Sequence, residues 1–179
     1  SPQLFTHSYF DISPDNPQNF GGATNFQLGA SKQNGILQPR VNQETVSANL
    51  IEYSRVTLQT PKGMTDTQFI NALFSEADKI GQAQIPYKTL PNVQKGTANS
   101  NVFVSTLIQN TGSSLPTGTS YGDLNPIYTQ SPGLGQVYSS SEIQQRSQSQ
   151  TNQNKASQPR QSAFHSFFNK IRSRFRKSK

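Results

Sequence analysis

The sequence contains no cysteine and no tryptophan, and a single methionine. Without thiols there is no disulfide framework, no thiolate nucleophile and no thiolate metal ligand. Histidine is almost as scarce: His7 and His165 are the only two, far apart in the chain. A metal centre would have to be completed by carboxylates, so none is expected, and no organic cofactor motif is present either. The glycine-rich spots Phe20-Gly21-Gly22 and Gly133-Leu134-Gly135 lack the strand–glycine–helix context of a phosphate loop and read as turns. No run approaches the roughly 20 apolar residues that cross a bilayer, and no signal-peptide pattern is present. Ser1 in place of Met leads to the expectation of a processed product or a fragment of something larger.

Apolar residues make up only 31% of the chain, against roughly 45–50% in an average globular domain. The shortage is local. Ser140 to Ser162 hold one large aliphatic residue, Ile143, and no aromatic. So little apolar surface does not offset about 1–2 kcal/mol of backbone entropy per ordered residue, and a disordered segment is expected. Acidic residues are missing from the same end. Residues 140–179 carry nine Lys/Arg against Glu142 alone, whereas residues 1–139 carry seven Lys/Arg and eight Asp/Glu. The high isoelectric point thus belongs to the tail, and the body of the chain is not a basic, nucleic-acid-binding domain. Three regions follow: a compact domain over 1–138, a disordered linker over 139–162 and a basic amphipathic helix over 163–179.

Within the compact domain, Leu4–Ile12 alternates as a strand, with Phe5, His7, Tyr9 and Asp11 on one side and Leu4, Ser8, Phe10 and Ile12 on the other. Further strands are predicted over Thr24–Leu28, Gly35–Val41 and Leu50–Leu58. The period then changes. Thr65 with Gln68 forms a capping-box pattern, Phe69, Ile70, Leu73, Phe74, Ala77 and Ile80 follow at helical spacing, and Gly81 stands at the C-cap position. A helix is predicted over 66–80. A second helix is predicted from Asn99–Asn101 to Gly112, followed by a covering loop through Val137. Strands followed by two helices give an α+β domain with an antiparallel sheet.

The segment Asn99-Ser100-Asn101-Val102-Phe103-Val104 carries the most chemistry. A serine at a helix N-terminus lies beside free backbone N–H groups and the positive end of the helix dipole, which suit an oxyanion. Its hydroxyl needs a base, and His7 is the only imidazole of the domain. Asp11, Asn25 and Gln27 are candidates to orient that imidazole. The competing structural role is simple: Asn and Ser cap helices, contributing about 1 kcal/mol.

This arrangement resembles the circularly permuted papain-like hydrolases, the relatives of lecithin retinol acyltransferase. In that family a histidine on an early strand precedes a nucleophile that opens a later helix in an Asn-Cys-Glu-His-Phe-type motif. Asn99, Ser100 and Phe103 match its Asn, Cys and Phe. The chain is more similar still to a group of uncharacterised bacterial toxin- or effector-type domains with a His-Ser-Phe/Tyr strand and an Asn-Ser-Asn-Ser-Phe-Val helix start. The resemblance spans residues 5–112 and implies hydrolysis or acyl transfer at an ester or amide in a secreted or delivered bacterial protein. His7 would be the base, Ser100 the nucleophile, Asn25 the orienting group and the backbone at Ser100–Asn101 part of the oxyanion hole, with Asn99 and Asn101 in its support. Serine in place of cysteine removes the thiolate–imidazolium pair, so any chemistry runs through the Ser100 hydroxyl. Val102 also departs from the pattern, standing where a polar residue is common. The alternative is a non-catalytic binding domain of the same fold.

The tail is independent of that site. Phe164, Phe167, Phe168, Ile171 and Phe175 fall on one helical face, with Lys170, Arg172, Arg174, Arg176, Lys177 and Lys179 around the rest. A helix of this length, about 25 Å, is too short and too charged to span. It suits the headgroup layer of an anionic membrane, each cation adding about 1 kcal/mol and each buried Phe up to about 1.5–3 kcal/mol. An acidic protein groove would satisfy the same pattern. Nucleic acid would use the charges and leave the Phe face without a partner.

Overall fold

The computed structural model describes residues 7–42, 55–124 and 131–154. Within them lie a three-stranded antiparallel sheet and three helices, a mixed α+β arrangement. The strands are β1 (Phe10–Ile12), β2 (Phe26–Gln33) and β3 (Ile36–Val41), side by side in that order. The helices are α1 (Asp66–Gln82), α2 (Ser100–Asn110) and α3 (Ser140–Asn154).

β2 and β3 are joined by Asn34-Gly35, both at positive φ (50° and 79°), the two-residue turn whose twist matches a hairpin. The turn fixes the register Gln33↔Ile36 through Leu28↔Val41. β2 therefore runs five residues beyond the predicted Thr24–Leu28, through Ala30-Ser31-Lys32-Gln33, which have no β-branched side chain to announce a strand. β1 pairs only over Phe10–Ile12; His7–Tyr9 form no ladder, and Leu4–Thr6 lie outside the described residues. Of the fourth predicted strand, 50–54 lie outside the described residues and Arg55–Leu58 form no ladder. Arg55 instead reaches Asp11 at 3.2 Å.

Phe10, Ile12, Phe26, Leu28, Ala30 and Leu37 are buried on one side of the sheet. Phe26 connects Phe20 to Phe74 of α1, with ring centroids 5.7 Å apart in both pairs. α1 starts as expected: the Thr65 N–H donates to Gln68 Oε1 at 2.9 Å, and the Gln68 N–H to Thr65 Oγ1 at 3.1 Å. It does not stop at Gly81. The helix continues to Gln82, and Gln84 takes the left-handed conformation (φ 48°) beyond the Ala83 cap. Gly81 is there for contact, since a Cβ would lie 3.1 Å from Pro39 Cδ of β3.

The expected disordered linker is, over Ser140–Asn154, helix α3 packed on α1. Composition undercounted three anchors. Ser139 and Glu142 form a capping box, the Ser139 N–H donating to the carboxylate at 2.7 Å and the Glu142 N–H to Ser139 Oγ at 3.2 Å. Ile143, the lone aliphatic residue, is fully buried. The Ser147 hydroxyl donates to the Lys79 carbonyl at 3.0 Å. The described fold thus extends past residue 138. Residues 155–162 and the predicted tail helix over 163–179 lie outside the described residues. Among the described residues, no helix is long and apolar enough to cross a membrane.

Candidate functional site

The N-terminus of α2 is built by Asn99. Its backbone is extended (φ −141°, ψ −172°), and its Oδ1 accepts the N–H groups of Asn101 at 3.0 Å and Val102 at 3.1 Å. Asn99, not Ser100, is the cap, and Ser100 is the first helical residue. The Asn99 amide group also donates to the carbonyls of Thr89 (3.2 Å) and Pro132 (2.8 Å). Asn101 Nδ2 donates to the same Pro132 oxygen at 3.0 Å. Two side-chain amides thereby hold the Pro132-Gly133 turn against the start of the helix.

Gly133 closes the contact. At φ 85°, a Cβ here would lie 2.5 Å from Pro91 Cγ, 2.8 Å from Val102 Cγ2 and 3.0 Å from Asn99 Oδ1. No other residue lets the turn sit so close. The strap then follows α2 toward its C-terminus. The Gly135 N–H donates to Ser105 Oγ at 2.8 Å and the Tyr138 N–H to Thr106 Oγ1 at 3.1 Å. Asn110 Nδ2 donates to the Tyr138 carbonyl at 3.1 Å, and the Tyr138 hydroxyl to the Thr97 carbonyl at 3.1 Å. Burial pushes the Tyr121 phenol up, opposed by its hydrogen bond with Ser105.

α2 is consequently buried from Ser100 to Ile108. Ser100 is 3% exposed and Asn101 is fully buried. His7 is exposed, its ring 6.2 Å from that of Tyr9, and no hydrogen bond joins it to Ser100. Asn25, expected to orient His7, donates to Asp11 Oδ1 at 2.8 Å and to Ser13 Oγ at 3.1 Å. Gln27 meets Asn42 through its backbone N–H, which donates to Asn42 Oδ1 at 2.9 Å. The three groups considered for orienting His7 therefore belong to a polar cluster at the β1–β2 end of the sheet. Asn101 N–H, expected as an oxyanion donor, is engaged by Asn99. An incoming carbonyl oxygen would reach the Asn101 and Val102 N–H groups only by displacing Asn99 Oδ1, against which the Pro132-Gly133 turn is packed.

No protein-family model, curated protein or solved structure matches the chain. The likeness to permuted papain-like hydrolases rests on the motif residues alone.

The tail residues Phe164, Phe167, Phe168, Ile171, Arg172, Arg174, Phe175, Arg176 and Lys177 lie outside the described residues. No group of three His, Asp or Glu side chains gathers among the described residues as a metal would require. Sequence reasoning did not single out Ser105, Thr106, Asn110 and Pro132, the residues that seal α2. Their signal is present: Asn101, Ser105 or Thr106, and Asn110 recur at four- to five-residue intervals among the apolar residues of the helix.

Proposed function

We propose that the chain is a non-catalytic binding module, a papain-like domain whose nucleophile position has become structural, carried to an anionic membrane surface by its basic C-terminal segment. One observation carries the first half: Asn99 Oδ1 occupies the Asn101 and Val102 N–H groups in the first turn of α2, beside the Pro132-Gly133 turn. An oxyanion site must present such donors to substrate, and a serine without a hydrogen-bonded base is a weak nucleophile. The second half rests on the tail pattern, five apolar residues on one face among clustered Lys and Arg. The bacterial toxin- and effector-type domains that the motif resembles make a secreted or delivered location part of the same proposal.

A hydrolase or acyltransferase acting on an ester or amide is the second reading. Ser100 does open a regular 11-residue helix, as that reading needs. It further requires the Pro132-Gly133 turn to lift and His7 to reach Ser100.

Two measurements test the proposal. Reaction with a fluorophosphonate probe should leave Ser100 unmodified. Co-sedimentation with phosphatidylserine vesicles should occur, weaken with salt and persist in part through the aromatic residues. A Phe167→Ala/Phe168→Ala variant should lose the salt-resistant part. Binding that is confined to nucleic acid and collapses steeply with salt would refute the membrane assignment.

A further inference from the structure

Away from the α2 cap, among the described residues, a cation is held in place without its donors being engaged. Arg146 of α3 lies over the Tyr138 ring, its Cζ 5.3 Å from the centroid. That ring is itself fixed, because the Tyr138 hydroxyl donates to the Thr97 carbonyl. The guanidinium also lies against Gly96: a Cβ there would lie 2.6 Å from Nη2. Gly96 stands in the left-handed conformation (φ 76°) that ends the short 3-10 turn Val93–Lys95. No hydrogen bond or ion pair to another described residue engages the Arg146 guanidinium. The nearest carboxylate along α3, Glu142, acts on Arg146 through its charge alone, its oxygen being bonded to Ser139 at 2.7 and 2.9 Å.

A surface groove of about 410 Å³ is lined by Asn92, Val93, Gln94, Gln136 and Val137, segments that run on in the chain to Gly96 and Tyr138. Both of its walls lead to Arg146. One continues from Val93-Gln94 to Gly96, against the guanidinium; the other continues from Val137 to Tyr138, whose ring lies beneath it. No carboxylate lines the groove, and Lys95 is exposed on the same turn. The oxygens of Asn92 and Gln136 accept the Lys95 and Val93 N–H groups at 3.1 and 3.2 Å, which orients their NH2 groups as donors, and Gln94 offers both a donor and an acceptor to a peptide backbone. A guanidinium held by stacking offers a planar fork that matches a carboxylate.

We infer that this groove binds an extended acidic peptide, with a Glu or Asp carboxylate on Arg146, backbone amides on Asn92, Gln94 and Gln136, and a small apolar side chain between Val93 and Val137. The inference rests on the binding-module reading and names its ligand. A phosphate or lipid headgroup would use the arginine and leave the amides and valines idle.

The test is an NMR titration of the full ¹⁵N-labelled chain with acetyl-Glu-Val-Glu-Val-Glu-amide, beside the same peptide with Gln for Glu. Shifts should concentrate at the side-chain amides of Asn92, Gln94 and Gln136 and at the Gly96 N–H, with the Gln peptide much weaker. Arg146→Gln should weaken binding about tenfold or more. Gln136→Glu, which keeps the acceptor for Val93 and sits apart from the Tyr138 stack, should weaken it too. Shifts confined to residues 163–179, equal binding of the two peptides, or the same groove shifts with inorganic phosphate would overturn the assignment. A fluorophosphonate reaction on the same sample separates the two levels. Absent groove shifts with unmodified Ser100 overturn the groove alone, whereas modified Ser100 overturns the reading beneath it.

Discussion

Replacing Gly133 with alanine probes the seal over α2 directly. The added methyl would lie 2.5 Å from a Pro91 ring carbon and 2.8 Å from a Val102 methyl, neither at the end of a flexible chain. Left-handed backbone costs an L-residue about 1–2 kcal/mol, and overpacking typically adds about 1–3 kcal/mol. The lower entropy of the unfolded chain offsets about 0.4–1 kcal/mol of this. A net loss of about 2–4 kcal/mol is expected. Gly118 is the matched control: its φ of 82° is as unfavourable, yet nothing lies within 4 Å of its missing Cβ. Gly118→Ala should cost only the backbone share, about 1 kcal/mol. Urea unfolding followed by far-UV circular dichroism measures both, and suits a chain without tryptophan. Equal midpoints for the two variants would refute the close packing of Pro132-Gly133 on α2.

Asn99→Asp keeps the acceptor for the first-turn N–H groups but removes the donors to Thr89 and Pro132, so it should lose less stability than Asn99→Ala, whose cap loss alone costs about 1 kcal/mol. Ile143→Ala should cost about 2–5 kcal/mol if α3 unfolds only with the rest of the domain; hydrogen exchange that speeds up in α3 alone would show it to be a separate unit. The Glu142 carboxyl is held below its ordinary value by the backbone and hydroxyl hydrogen bonds from Ser139. A lowered folded-state pKa means that this contribution is present above the ordinary glutamate range and lost as pH falls through the lowered value. Amide protection at the start of α3 should therefore decline in acid, and Glu142→Gln should flatten that dependence; an unchanged profile would refute the capping box.

α1 and the start of α2 were legible because their signals are local: Thr65 with Gln68, Asn99 before an apolar run, and apolar residues three and four apart. The hairpin register was half legible. Asn34-Gly35 marks the turn, but Ser31-Lys32-Gln33 join the ladder only because Leu37 and Ile36 are there to pair with them. α3 was invisible to composition, since one buried Ile143, one cap and the Ser147–Lys79 hydrogen bond hold a helix that is mostly Ser, Gln and Asn. At the candidate site the motif located Ser100 at the helix start and left its surroundings open. Whether a strand histidine meets a helix serine depends on tertiary placement, which alternation along Leu4–Ile12 does not specify. The seal comes from Pro132, about 30 residues downstream, whose carbonyl collects two amide donors. A turn-forming sequence does not say what its carbonyl will meet.

The most direct measurement is intact-protein mass spectrometry of the folded chain after exposure to a fluorophosphonate, alongside Ser100→Ala and His7→Ala. With Asn99 filling the Asn101 and Val102 donors and Ser100 buried, all three proteins should remain unmodified. A stoichiometric adduct on Ser100, lost in both variants while they stay folded, would contradict a sealed, non-catalytic domain and establish an activated serine.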